Sequence, residues 1–384
     1  MIGERKINGF RYAARLACIS LLSGGVGLVA GLIITPEDAD DADRNARPDD
    51  ITSCMHDYAW SDLPEPAFSA PPFASHLKGV AIVLDPGHGG RSVRRNWKRG
   101  PTGLREAAVN LRVAQYLRDF LVEVGARVVM TREKDVYLHA DDGRDLSARI
   151  EIANGLQADL FLSIHHNAAQ PGSTANYTTM FYHGALDENP ASVDVAWFLL
   201  DGVNEALRLE QHLGCGVVSD YALFPGKGFR VLREAMTPAV LSEASFHTNP
   251  AEEKRLRDPV YNRREAYGLF TGLARWAQAG LPSARIVQPE GGTVSAGDTL
   301  VIQLDDGLSG RGSFGMNLPQ LAADSIVVGY EGRAASIEYT ASSRQVRMTV
   351  TERMISAGGM LYVDFVNLSG QHVLHPRLAL PARR

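Results

Sequence analysis

Cysteine is scarce, with three in 384 residues, too few for a fold held together mainly by disulfides. Cys18 lies in an apolar stretch, which leaves Cys54 and Cys215 either to pair in an oxidising compartment or to stand as two unrelated thiols. An excess of one charge sign is also missing: the formal net charge is only −5, which argues against nucleic acid as a partner. No long internal repeat is present, which sets aside a solenoid or propeller array. The one long run without charge is at the N-terminal end, where Arg5, Lys6, Arg11 and Arg15 precede Leu16 to Thr35. That run is close to the ~20 residues that span a bilayer and exceeds the roughly 7–15-residue apolar core of a signal peptide, and its basic flank would remain in the cytoplasm. Residues 1–35 are therefore expected to be an uncleaved signal-anchor, with a cleaved signal peptide as the alternative. The rest is expected to be exported to the cell envelope, tethered to the membrane at its N-terminus.

The chain is long enough for two or three domains. Residues 36–78 read as a linker and an extended arm: Glu37 to Asp50 is acidic and alanine-rich, and residues 51–78 carry many prolines and the aromatics Tyr58, Trp60, Phe68 and Phe73. Residues 79–281 alternate as α/β units do. Strands are predicted at 80–85, 127–131, 159–164, 178–182 and 238–243, and helices at 105–123, 144–156, 191–209 and 260–279. The expected fold is α/β, a mostly parallel twisted sheet with helices on both faces. From 285 to 384 the pattern changes to short runs such as Thr299–Leu304, Ser336–Thr340, Gln345–Val350 and Met360–Val366, separated by glycine-containing turns. Such spacing predicts a C-terminal β-sandwich.

The α/β region is organised around Val80 to Gly90, VAIVLDPGHGG, an apolar run that delivers His88 into a glycine-rich turn. Ligand sites of parallel sheets lie just beyond the carboxyl ends of the strands. Two later runs end in the same manner, DLFLSIHH at 159–166 on His165 and PAVLSE at 238–243 on Glu243. If the three strands lie side by side, His88, His165 and Glu243 share one crevice. Glu106 opens a helix whose first turn points back toward that edge, and so can join them. Two imidazoles and one carboxylate with an open fourth position form a usual ligand set for catalytic zinc. Glu243, a carboxylate outside that set, is the candidate base. Because neighbouring strand residues face opposite ways, only one of His165 and His166 is expected to face the metal. The other is left to line the site or to hold a supporting bond.

The segments DPGHGG at 85–90, GLREAAVNL at 103–111, TREKD at 131–135, LSARIEIAN at 146–154, SIHHNA at 163–168 and PAVLSEASFHTNPAEEKRL at 238–256 together resemble the zinc-dependent N-acetylmuramoyl-L-alanine amidases, often called type 3 amidases. The resemblance spans about 200 residues in the family's order. It implies that His88, Glu106 and His165 bind Zn2+ and that Glu243 is the catalytic carboxylate. The implied substrate is peptidoglycan, cut at the amide between N-acetylmuramic acid and L-alanine in wall remodelling or daughter-cell separation, with a regulatory protein partner left open. Another zinc amide hydrolase, such as a stem-peptide carboxypeptidase, and a non-catalytic wall-binding protein are the rival readings. The family also places a groove-lining loop near Gly214 to Leu232.

Four further features are singled out. The basic loop with Arg91, Arg94, Arg95, Lys98 and Arg99 is either solvated or attracts the carboxylates of stem peptides. Arg132, Asp135, Arg149 and Asn154 are expected to hold loops and helix ends. Arg230, Arg233 and His247 are candidate partners of Glu243. From His139 to Asp145 the chain is longer than the family spacing.

Overall fold

The computed structural model describes residues 67–90, 98–185, 189–209, 216–290, 293–309, 311, 319–356 and 359–380. The expectations for residues 1–66, the two cysteines Cys54 and Cys215, and Arg91, Arg94 and Arg95 fall outside the described residues. The elements are β1 (Ala81–Pro86), α1 (Glu106–Glu123), β2 (Arg127–Met130), α2 (Asp142–Leu156), β3 (Leu160–Asn167), β4 (Thr179–Tyr182), α3 (Ala191–Leu207), β5 (Val217–Ser219), α4 (Arg230–Arg233), β6 (Ala239–Phe246), α5 (Pro250–Leu256) and α6 (Pro259–Gln278). Their six strands form one sheet in the order β2-β1-β3-β6-β4-β5. β1, β2, β3 and β6 are mutually parallel, whereas β4 runs antiparallel to β6 and parallel to β5. The sheet is thus mostly parallel, and the short β5, α4 and α5 are additions to the sequence-predicted elements.

Alternation along the central strands explains why both faces are covered. Ile82, Leu84, Leu160, Leu162, Ile164 and Val240 point to one side, where they join Val113 and Leu117 of α1, Leu199 of α3 and Phe270 of α6 in one core. Val83, Phe161, Ala239 and Leu241 point to the other, against Ile150 of α2 and Val231 and Leu232 of α4. Each of these side chains larger than alanine contributes about 1.5–3 kcal/mol by leaving water, which is why these strands read as unbroken apolar runs. The crossing of α3 on α6 is made close by glycines: a Cβ on Gly268 would come within 2.6 Å of the Gly202 carbonyl, and one on Gly272 within 2.5 Å of the Phe198 carbonyl. The described end of the N-terminal arm is anchored here as well. Phe68 meets Tyr267 edge-on at 5.6 Å, and a short 3-10 turn at Pro72–Leu77 follows.

Beyond Pro282 lie two four-stranded antiparallel sheets, β7 (Ser283–Gln288) with β8 (Thr299–Asp305), β12 (Gln345–Thr349) and β11 (Glu338–Thr340), and β9 (Val327–Tyr330) with β10 (Arg333–Ala334), β13 (Met360–Asp364) and β14 (Arg377–Ala379). Ile302, Val346, Val328, Val363 and Phe365 fill one core of their own, as in a β-sandwich. The sandwich docks at the end of the α/β sheet away from Glu243. The His372 backbone N–H donates to Asp194 Oδ2 at 2.8 Å, in the first turn of α3. Asn367 Nδ2 donates to the Ala279 carbonyl at 2.9 Å, just past α6. His375 lies 3.7 Å from Asp159, the residue immediately before β3.

Candidate metal centre

β1 ends at Pro86, and the chain then turns sharply. Gly87 leaves no room for a Cβ because the His165 ring packs on it, and a Cβ on Gly89 would run into the Val136 carbonyl. His88 between them adopts φ 60°, a left-handed conformation that costs a non-glycine residue roughly 1–3 kcal/mol and persists only when its surroundings enforce it. Two buried arginines do so. Arg149 donates to the carbonyls of Pro86 (3.0 Å) and His88 (2.8 Å), and its charge is met by Asp85 at 2.7 Å and Asp145 at 3.0 Å. Arg132 donates to Pro86 O (2.8 Å), Gly87 O (2.9 Å) and Ala107 O (2.8 Å), tying the turn to the first turn of α1.

The start of α1 is fixed from the opposite side. Glu253 of α5 accepts hydrogen bonds from the backbone of Thr102 at 2.8 Å and Leu104 at 2.9 Å, while the Glu106 N–H donates to the Lys98 carbonyl at 3.2 Å. Glu106, 1% exposed at its side chain, thereby stands between the two histidines, with Oε2 3.1 Å from His88 Nε2 and Oε1 3.1 Å from His165 Nδ1. One donor atom from each of His88, Glu106 and His165 lies within 4.8 Å of the others. The two imidazoles stand edge to face, 4.7 Å between centroids. They keep side-chain exposures of 31% and 16%, so the cluster opens to solvent on the histidine side.

Glu243 lies directly across the β3–β6 ladder from His165 and points to the same side of the sheet as Ala239 and Leu241. Burial pushes its carboxyl well above the ordinary range, the Glu106 carboxylate adds to this, and Lys98 offsets part of it. For Glu106 burial acts in the same upward direction but is outweighed by His88 and His165, which hold it well below that range. Two carboxyls at one site are thus driven apart, one toward a permanent anion and the other toward a proton carrier.

Whether the cluster fits a metal can be asked of its polar atoms. Glu243 Oε2 is shut off from solvent without a hydrogen-bond partner, and the buried Glu106 Oε2 has only the His88 ring nitrogen beside it at 3.1 Å; an unpartnered buried oxygen is costly. Two imidazole nitrogens and a carboxylate oxygen converging on one point, open on one side, match the donor set of a catalytic zinc site. His88, Glu106 and His165 could hold such an ion, and Glu243 lies beside them as a group that takes and gives a proton.

The other expected residues are distributed differently. His166 faces the α1–α6 side of the sheet, where Nε2 meets Glu265 Oε2 at 3.0 Å. Arg230 bonds Glu234 and the Gly143 carbonyl, and Arg233 bonds the Lys227 carbonyl and Glu234, so neither serves Glu243. His247 is buried and donates from Nδ1 to the His166 carbonyl at 3.0 Å. Asn154 holds the connection into β6 through the Glu234 carbonyl and the Met236 N–H. Asp135 pairs with Arg105. Asp145 spends its Oδ1 on the Leu138 and His139 N–H groups, closing the long 139–145 turn onto the Arg149 network. Asn110, Glu253 and Glu265 were not singled out from the sequence. A carboxylate at position 253 or 265 reads as an ordinary helix-surface charge, and only folding places both inside.

Residues 82–275 match the family model described as N-acetylmuramoyl-L-alanine amidase. The chain is 31% identical over 215 residues to the germination-specific N-acetylmuramoyl-L-alanine amidase of Bacillus subtilis strain 168, a match that covers 53% of this chain and 83% of that protein. It is 28% identical over 281 residues to N-acetylmuramoyl-L-alanine amidase AmiC of Neisseria meningitidis serogroup B, covering 65% of each. A solved structure of an N-acetylmuramoyl-L-alanine amidase from Clostridium difficile 630 is 27% identical and superposes with a TM-score of 0.44, over 52% of this chain and 97% of that one.

Proposed function

The chain belongs to the N-acetylmuramoyl-L-alanine amidase family, and from that premise we propose that His88, Glu106 and His165 hold a zinc ion and that Glu243 is the proton-transfer group. It is a cell-wall enzyme that hydrolyses the amide between N-acetylmuramic acid and L-alanine in peptidoglycan. Zinc, when bound, supplies a Lewis acid that polarises the scissile carbonyl and lowers the pKa of a water to roughly 7. Glu243 Oε2 takes a proton from the attacking water as the C–O bond forms. It then delivers that proton to the departing alanine nitrogen as the C–N bond breaks. A carboxyl raised by burial suits both halves of that task, because a proton carrier works best with a pKa near the working pH. Glu106 stays ionised throughout, held by the two imidazoles. Arg149 and Arg132 act earlier, by keeping His88 in its left-handed conformation.

The observation that carries this reading is the convergence of His88, Glu106 and His165 with Glu243 one strand away. Product analysis on purified sacculi tests it: release of intact stem peptides, abolished by a chelator and restored by zinc, is expected. Release of single D-alanine residues would favour a carboxypeptidase, and no release would favour a binding protein. Action on the wall places the enzyme outside the cytoplasm. The proposal extends to the tether: Leu16 to Thr35 anchors the chain with Arg5, Lys6, Arg11 and Arg15 on the cytoplasmic side, and extraction from membranes by detergent but not by salt is the expected behaviour.

A further inference from the structure

Behind Glu106, on the α1–α6 side of β3, the polar side chains of His166, Asn110 and Glu265 are sealed from solvent. Burying three such groups is costly unless hydrogen bonds compensate, and together they form one line of hydrogen bonds that leaves Glu265 Oε1 as their one unpartnered side-chain oxygen. Asn110 Nδ2 reaches two acceptors, Gly87 O at 3.3 Å and Glu106 Oε1 at 3.4 Å. That orientation leaves Asn110 Oδ1 facing His166 Nδ1 at 2.8 Å. An amide oxygen only accepts, so His166 Nδ1 must carry a hydrogen. His166 Nε2 then meets Glu265 Oε2 at 3.0 Å. The His166 backbone N–H also points at Glu106 Oε1, at 3.3 Å. The two donors from behind therefore collect on Oε1, whereas Oε2 faces only the His88 ring, whose Nε2 lies 3.1 Å away on the side of the ligand cluster.

We propose that His166 and Glu265 are positioning residues that fix the Asn110 amide, so that Glu106 Oε1 is filled by donors and Oε2 is the oxygen left for the ion. The inference rests on the metal reading above and deepens it. Partners behind a ligand set its orientation and basicity, and their loss commonly weakens metal binding by about 10–100-fold. Without the His166 hydrogen, the Asn110 amide is free to turn its own oxygen toward Glu106.

The test is zinc affinity of the purified chain, read by competition with a chromophoric chelator, alongside thermal melting of the apoprotein. His166→Leu keeps bulk but loses both ring nitrogens, and Asn110→Ala removes the amide. Each is expected to weaken zinc binding about 10–100-fold while the apoprotein still melts cooperatively. Glu265→Gln can donate to His166 Nε2 and so preserve the hydrogen on Nδ1, and is expected to stay close to the wild-type affinity. Glu265→Leu is expected to weaken it. Should His166→Leu not fold, Asn110→Ala and the two Glu265 variants decide the matter. Folded His166→Leu, Asn110→Ala and Glu265→Leu proteins that bind zinc as tightly as the wild type would overturn the assignment and leave the metal centre standing, as would a Glu265→Gln protein as weak as Glu265→Leu. A wild-type chain that binds no zinc would remove the metal centre itself, and this inference with it.

Discussion

Arg149→Leu is expected to destabilise the catalytic domain more at neutral pH than in acid. Both partners of the Arg149–Asp85 pair are 2% exposed at their side chains, and Thr131 and Ser163 donate the remaining bonds to Asp85 at 2.6 and 2.7 Å. Leucine fills part of the space but leaves a buried carboxylate without its counter-charge, a change that costs about 3–5 kcal/mol. At about 2–4 °C per kcal/mol for a domain of this size, the melting temperature should fall by roughly 6–20 °C at pH 7. The sign of the pH dependence follows from Asp85. In the wild type burial raises its carboxyl, but Arg149, Thr131 and Ser163 outweigh burial and hold it below 3.8. Its stabilisation is therefore present above that value and is lost as pH falls through the folded pKa. In the variant burial prevails, the carboxyl is raised, and the folded form binds the proton more readily than the unfolded one. The stability gap should thus narrow as pH falls from 7 to about 4. Circular-dichroism melts of both proteins across that range are the assay. A gap below about 1 kcal/mol at pH 7, smaller than an ordinary buried-pair loss, or a gap of constant size down to pH 4, would refute the reasoning. Because Arg149 also holds the His88 carbonyl, zinc affinity should fall in the same variant.

Glu243→Gln should retain zinc while its turnover falls by about 10²–10⁴, the usual worth of a positioned acid–base group; a variant with wild-type turnover would remove the assigned role. Gly202→Ala should destabilise the fold, because its Cβ would meet the Gly268 carbonyl where α3 crosses α6; a melting temperature equal to that of the wild type would show that the helices can separate at no cost. At the docking surface of the sandwich, burial lowers the His372 imidazole, but its bond to Asp194 and the charge of Asp364 outweigh this and raise it above 6.5. The stability it contributes is full below 6.5 and is lost as pH rises through the folded value. Protection factors for hydrogen exchange around His372 and α3, which are corrected for the intrinsic rise of exchange with pH, should accordingly fall from pH 6 to pH 8.5, and Asp194→Asn should flatten that dependence.

The central strands β1, β3 and β6 were legible because they are buried on both faces and so appear as short unbroken apolar runs, whereas the order of the six strands and the antiparallel direction of β4 were not. β5, α4 and α5 were not, since three to seven residues carry too little periodicity to register. In the sandwich, β8, β11, β12 and β13 stood out as short runs between turns, whereas β7, β9 with Gly329 in its middle, the two-residue β10 and β14 did not. Arg230 and Arg233 illustrate a different limit. As charges shortly before β6 they were plausible partners for Glu243, but α4 packs along α2 and directs them elsewhere.

Local sequence already fixes which residue types can meet: a histidine in a glycine turn, a histidine and a glutamate at the ends of apolar strands, and a glutamate opening a helix. Local chemistry suffices for that, since strand burial and turn geometry are written in neighbouring residues. Packing at long range settled that the Asn110 amide and the His166 N–H reach Glu106 Oε1 while Oε2 faces His88, that Arg132 and Arg149 grip the His88 turn through its carbonyls, and that the sandwich sits at the far end of the sheet. Those outcomes depend on contacts between residues many positions apart, such as His166 with Glu265, and no local pattern encodes which buried polar groups will find one another once the helices have packed.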